Sequence, residues 1–183
     1  MNFKLGTSCK LAPAGGKNQI VTMDRININK IQEKDYLYNS CNLYYDKYFN
    51  SDDKGQLKSF EREIWMIGSE IIDNIKRKKI EKKILTDTLS EELLKVIEED
   101  RFGRGRESFV MLLHYFKNNP NIETCLATLL DDEQLYAFAI DELTILRNFN
   151  YVDKVQKILS KEKVSWRRKV AERYIKKYLD SVF

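Results

Sequence analysis

Side chains with catalytic or metal-binding chemistry are few and scattered in this sequence. There is one histidine, His114, and it lies in an apolar run with helical spacing. The three cysteines, Cys9, Cys41 and Cys125, lack the paired spacing that zinc sites show. A Ser-His-Asp arrangement would have to use His114, and no motif indicates its partners. We therefore expect a structural imidazole at His114, no cofactor and no metal. A non-enzymatic protein is favoured, and an enzyme whose groove site has no linear signature is the remaining alternative.

Carboxylates occur in adjacent pairs, among them Asp131–Asp132 and Asp141–Glu142. Adjacent side chains on a helix point about 100° apart, so these pairs do not face one substrate as an acid and a base. Residues 87–160 carry fourteen acidic and eight basic side chains. We predict that part of this charge forms a protein-binding surface for a basic partner. The residues assigned to this surface are Glu98, Glu99, Asp132, Asp141 and Glu142.

The end of the chain has the opposite charge balance. Residues 161–183 carry eight basic and three acidic side chains, and a second basic run covers residues 76–83. Such residues contact phosphates, so nucleic acid is an alternative partner. The acidic stretch before residue 161 would repel the same phosphates, which favours a protein partner. The residues assigned to the nucleic-acid alternative are Arg167, Arg168, Arg173, Lys176 and Lys177.

Residues 101–106 combine three arginines with two glycines. The run lacks the spacing of a phosphate-binding loop or a dinucleotide-binding motif. We interpret it as a connector whose arginines pair with Glu98, Glu99 or Asp100.

Apolar residues recur at helical spacing along most of the chain. The pattern predicts helices over 31–49 and 56–85, a capping box at Thr88 and Glu91, and a helix start at Asn119–Pro120. No apolar run reaches the roughly 18 residues needed to cross a bilayer. The odd number of thiols is typical of a reducing compartment, so we expect a cytoplasmic protein.

The second half of the chain repeats itself at a spacing of thirty residues. Val110, Ile140 and Val170 occupy equivalent places in three units, each with a short apolar helix, a polar turn and a longer helix. Self-similarity at this period is typical of repeat proteins. We expect Trp166, Val170, Tyr174 and Tyr178 to form one buried stripe against the preceding unit.

The run from Trp166 to Ala171 resembles the second-helix signature of HEAT repeats, and the resemblance covers roughly residues 88–180. It implies a stack of antiparallel helix pairs that holds a partner, with a basic residue such as Arg167 bracing neighbouring units. HEAT-like DNA glycosylases hold a duplex on a basic face with aromatic residues, and Trp166 and Tyr174 are the matching rings here. The resemblance implies no particular chemistry.

These observations predict an all-α protein: a short HEAT-like array of helical hairpins with an N-terminal helical extension. We expect a flexible tail over residues 1–23, N-terminal helices over 24–86 and the repeats over 87–183. The function that fits best is a non-enzymatic protein-binding module. Its size and acidic middle suit an immunity-type protein that binds and neutralises a basic toxin.

Overall fold

The secondary structure is entirely helical within the part of the chain that the structure describes, which confirms the all-α class. The structure is a computed structural model, and it describes residues 26–49, 57–78, 80 and 85–182. The predicted tail at 1–23 and most of the basic run after Lys78 lie outside these residues. The α-helices are α1 Tyr36–Phe49, α2 Leu57–Lys76, α3 Asp87–Ile97, α4 Glu107–Val110, α5 Pro120–Leu129, α6 Tyr136–Leu146, α7 Val152–Lys161 and α8 Ser165–Val182. Short 3-10 helices cover Ile28–Lys30, Asp100–Arg106 and Leu113–Phe116.

Local sequence signals place some of the helix starts. α5 begins at Pro120 as predicted, and the side chain of Asn119 accepts a hydrogen bond from the backbone N–H of Asn121 at 2.9 Å. The predicted cap at Thr88 is wrong by two residues. Thr86 caps α3 instead, since its hydroxyl accepts the backbone N–H of Leu89 at 3.4 Å.

The second helix of the first unit is broken. The apolar run 109–116 predicts one continuous helix, but α4 ends at Val110 and a 3-10 helix follows at Leu113. The backbone N–H of His114 donates to the carboxylate of Glu142 at 2.8 Å, so it is withdrawn from the α-helical ladder. A contact from α6 therefore decides the local structure here.

Three hairpins follow one another along the chain, over 87–116, 120–146 and 152–182. α6 packs against α8 on one side, and against α4 and the 3-10 helix 113–116 on the other. α1 and α2 pack on the first hairpin, with α2 against residues 100–110. One hydrophobic core runs continuously from Ile26 to Tyr174.

The contact between α2 and the first hairpin is unusually close. A Cβ atom on Gly105 would lie 2.8 Å from the side chain of Ile64 and 2.9 Å from the carbonyl oxygen of Glu61. A Cβ atom on Gly68 would lie 2.8 Å from the Cβ of Ser108. Glycine is required at both positions because the side chains of Ser108 and Ile64 and the carbonyl of Glu61 leave no room for a side chain.

Candidate protein-binding groove

A groove opens where α2, the 3-10 helix 113–116, α6 and α8 meet. It encloses about 240 Å³. Its walls combine apolar and aromatic side chains with two carboxylates and two basic groups. The lining includes Lys76, His114, Tyr115, Phe138, Asp141, Glu142, Ile145 and Trp166.

Trp166 lies at the mouth of the groove with 42% of its surface exposed. The prediction of a stripe that buries Trp166 is wrong, although Tyr174 of the same stripe is fully buried. The Trp166 ring contacts Phe138 with centroids 5.6 Å apart, and the guanidinium of Arg167 lies 5.5 Å from its centroid. Ile145, on α6, is 49% exposed. Two large apolar side chains therefore stand open to solvent beside one concavity.

Glu142 lies inside the groove wall rather than on an exposed surface, because only 3% of it is exposed. Its Oε2 atom lies 3.0 Å from Nδ1 of His114, in addition to accepting the backbone N–H of that residue. An ionised carboxylate only accepts, so Nδ1 carries the proton in this pairing. The predicted structural imidazole agrees with these contacts. Burial raises the pKa of the Glu142 carboxyl, and the contacts with His114 offset part of that rise.

The raised pKa of Glu142 predicts a pH dependence of stability. The unfolded chain ionises this group near its ordinary value of 4.5, before the folded chain does. The free energy of unfolding should therefore fall as the pH rises from below that value to the raised pKa, and then level off. Glu142→Gln should remove this contribution, so its stability relative to the wild type should increase over that window. Urea titrations at several pH values measure the difference, and curves that stay parallel would contradict the assignment.

The other predicted acidic residues do not join one surface. Asp141 lines the groove and its Oδ1 atom pairs with Arg173 at 2.5 Å. Asp132 pairs with Arg106, and Glu99 pairs with Arg101. Glu98 is exposed and borders a separate cleft with Asp132. The predicted single acidic surface therefore does not form. Most of these carboxylates have arginine partners in the folded chain, and the groups lie at separate places.

Three of the five predicted nucleic-acid contacts are also engaged within the chain. Arg167 donates to the hydroxyl of Tyr136 at 3.2 Å. Arg168 donates to the carbonyls of Leu159 and Glu162, and Arg173 pairs with Asp141. The two remaining cations are exposed and form no ion pair with another described residue. These are Lys176 and Lys177.

The brace between neighbouring units is made by Arg106. Its guanidinium is buried and donates to Asp132 at 3.0 Å, which lies in the turn of the second hairpin. It also donates to Asp100 at 2.8 Å and to the carbonyl of Ile97 at 3.0 Å. The predicted pairing of the 101–106 arginines with Glu98, Glu99 or Asp100 is confirmed for Arg101 and Arg106, whereas Arg104 pairs with Glu107. Arg167 also crosses from α8 to α6, but it contacts the hydroxyl of Tyr136 rather than a carboxylate. The carboxylate contact between these two helices is made by Arg173 with Asp141.

Sequence reasoning missed Ile145 and Phe138 as groove residues. A signal was present, since α6 is apolar on nearly every side, and such a helix is covered on more than one face. The excess apolar surface of α6 is what the groove exposes.

Within the described residues, no three His, Cys, Asp or Glu side chains are grouped so that they would hold a metal ion. None of the described helices combines the length and apolar character of a membrane span. No family model, curated protein or solved structure matches this chain.

Proposed function

We propose that this chain is a non-enzymatic protein-binding module that takes an arginine or lysine side chain of a basic partner into the groove. One observation carries the proposal. The carboxylates of Asp141 and Glu142 line the same concavity as the rings of Tyr115, Phe138 and Trp166.

This combination suits a long basic side chain. A cation is attracted to the face of an aromatic ring, most strongly to tryptophan, and forms its strongest hydrogen bonds with carboxylates. The aliphatic stem of an arginine or lysine packs along apolar surface, which Ile145 offers. Aromatic side chains are also enriched among the residues that dominate binding energies at protein interfaces.

The groove also holds positive charge that the partner has to accommodate. Lys76 is exposed at the end of α2, and Arg173 pairs with Oδ1 of Asp141. The Oδ2 atom of Asp141 forms no hydrogen bond with another described residue, so it is the oxygen available to an incoming cation. Glu142 lies behind the groove wall and is held by His114, so Asp141 is the carboxylate that contacts the inserted side chain.

A basic partner is consistent with an immunity-type role. A small helical protein of this kind would capture a basic toxin such as a nuclease and block it by contact, without chemistry. Charge complementarity in the groove supports this role. The partner would supply the inserted side chain from its own basic surface.

The proposal is tested with synthetic peptides. An array presents apolar peptides with one central arginine and matched peptides with glutamate in its place. We expect the arginine set alone to bind, and both Trp166→Ala and Asp141→Asn to weaken that binding by roughly tenfold, equivalent to about 1.4 kcal/mol. Only Asp141 is neutralised, because Glu142 is buried and bonded to His114, so a variant there would alter the groove wall itself.

Asp153→Asn is the matched control, since Asp153 is exposed in the first turn of α7 and lies outside the groove. It should leave peptide binding unchanged. Equal binding of the glutamate peptides, or binding that ignores both groove variants, would refute the proposed occupant.

A further inference from the structure

A basic residue recurs at a spacing of thirty near the end of each second helix. These residues are Lys117, Arg147 and Lys177, and we call them the basic row. All three are exposed, and none forms a hydrogen bond or ion pair through its side chain with another described residue. Other basic side chains, such as Arg101, Arg106 and Arg173, are paired with carboxylates. The row is therefore free positive charge.

Two clefts connect the members of the row. Lys117 and Arg147 border a cleft of about 500 Å³ between the second and first hairpins. Arg147 and Lys177 border another of about 280 Å³ beside the end of α8. Arg147 belongs to both, so the three cations follow one path across the ends of the hairpins.

Arg147 occupies a backbone conformation that favours glycine. It ends α6 with φ 54° and ψ 33°, and the next residue, Asn148, donates its backbone N–H to the carbonyl of Leu143 at 3.0 Å. Helices commonly end this way with glycine, because a side chain is strained in the left-handed region. The chain thus keeps an arginine at the centre of the row in a conformation that favours glycine, with no side-chain partner among the described residues.

Other charged groups face the same clefts. Glu123 borders the first cleft, and its Oε1 atom accepts hydrogen bonds from Asn150 and Tyr151, each at 3.2 Å. Asp180 borders the second. Each cleft thus has two cations and one carboxylate, and His114 also borders the first. Cations therefore outnumber carboxylates in both clefts.

We propose that the basic row binds the phosphate backbone of single-stranded nucleic acid. Because Arg147 borders both clefts, the three cations lie along one path on which a single strand places successive phosphates. Phe149 borders the second cleft and provides a ring on which a base stacks. Of the five residues that the sequence assigned to nucleic acid, only Lys177 belongs to the basic row. The proposal does not depend on whether the groove is occupied.

The test measures binding of a short fluorescein-labelled oligothymidylate across a series of salt concentrations. Each phosphate contact contributes about 0.7 to the slope of log affinity against log salt for a single strand. Arg147→Gly should reduce the magnitude of this slope by about 0.7. The triple variant Lys117→Ser, Arg147→Gly, Lys177→Ser should reduce it by about 2. Arg147→Gly should also unfold at the same or a higher temperature, which separates lost binding from lost structure.

The control is the triple variant Lys157→Ser, Lys161→Ser, Lys163→Ser, which removes equal charge from exposed positions on and after α7. It should retain the wild-type slope, as should Asp141→Asn in the groove. A slope that falls equally in the control, or equal binding of a matched duplex or of polyglutamate, would overturn the proposal. A wild-type chain that does not bind the oligothymidylate at low salt would overturn it as well.

Discussion

Replacing Arg106 by alanine is expected to lower the free energy of unfolding by about 3–5 kcal/mol. The substitution removes a buried guanidinium and leaves the carboxylate of Asp132, of which 20% is exposed, without its partner. The carbonyls of Ile97 and Gly103 lose their donors at the same time. Urea denaturation monitored by circular dichroism measures the loss.

Arg62→Ala is the matched control, because Arg62 is exposed on α2. Its effect should stay within about 0.5 kcal/mol. A double-mutant cycle with Asp132→Ala should show coupling between Arg106 and Asp132, since each single variant removes the same contact. Two additive substitutions would show that the brace does not join the first two hairpins.

Tyr174→Ala is expected to cost about 3–5 kcal/mol, as large truncations in a core do. The side chain is fully buried, and its hydroxyl donates to the carbonyl of Asn148 at 2.9 Å. Its ring packs against Phe149 with centroids 5.3 Å apart. Burial also raises the pKa of Tyr174 to about 12. Thermal and urea unfolding of the variant measure the cost.

Two further variants separate the contributions of burial and of the hydroxyl hydrogen bond at Tyr174. Tyr174→Phe should lose only the hydrogen bond, about 0.5–1.5 kcal/mol. Trp166→Ala should cost less than Tyr174→Ala, because the indole is 42% exposed. If Trp166→Ala lowers stability as much as Tyr174→Ala does, Trp166 is as buried as the repeat pattern predicts, and its exposed position is contradicted.

Signals contained within a few residues predicted the fold class and several elements. Asn119 and Pro120 start a helix through contacts with their immediate neighbours, so sequence alone located that boundary. The apolar stripe of Ile64, Ile67 and Ile71 is buried, as its helical spacing indicated. The helix was nevertheless predicted too long at its end, since α2 ends at Lys76.

Features that depend on distant contacts could not be read from the sequence. Glu142 has the pattern of a surface carboxylate, and only its contact with His114, 28 positions earlier in the chain, shows why it is buried. In the sequence Arg106 has the pattern of a polar connector, and only the folded chain brings Asp132 into contact with it. The resemblance to HEAT repeats stays a prediction, as does the division of the chain at residue 86.

The close approach at Gly68 and Gly105 has a kinetic consequence for the groove. Because the two glycines bring α2 within van der Waals contact of the first hairpin through short, close-packed groups, α2 has no flexible side-chain layer along which to slide. Ile72 and Lys76 lie one and two turns beyond Gly68 on the same helix, and both line the groove. This wall of the groove is therefore preformed. If the proposed partner binds there, the loss of conformational freedom on binding is borne mainly by the partner.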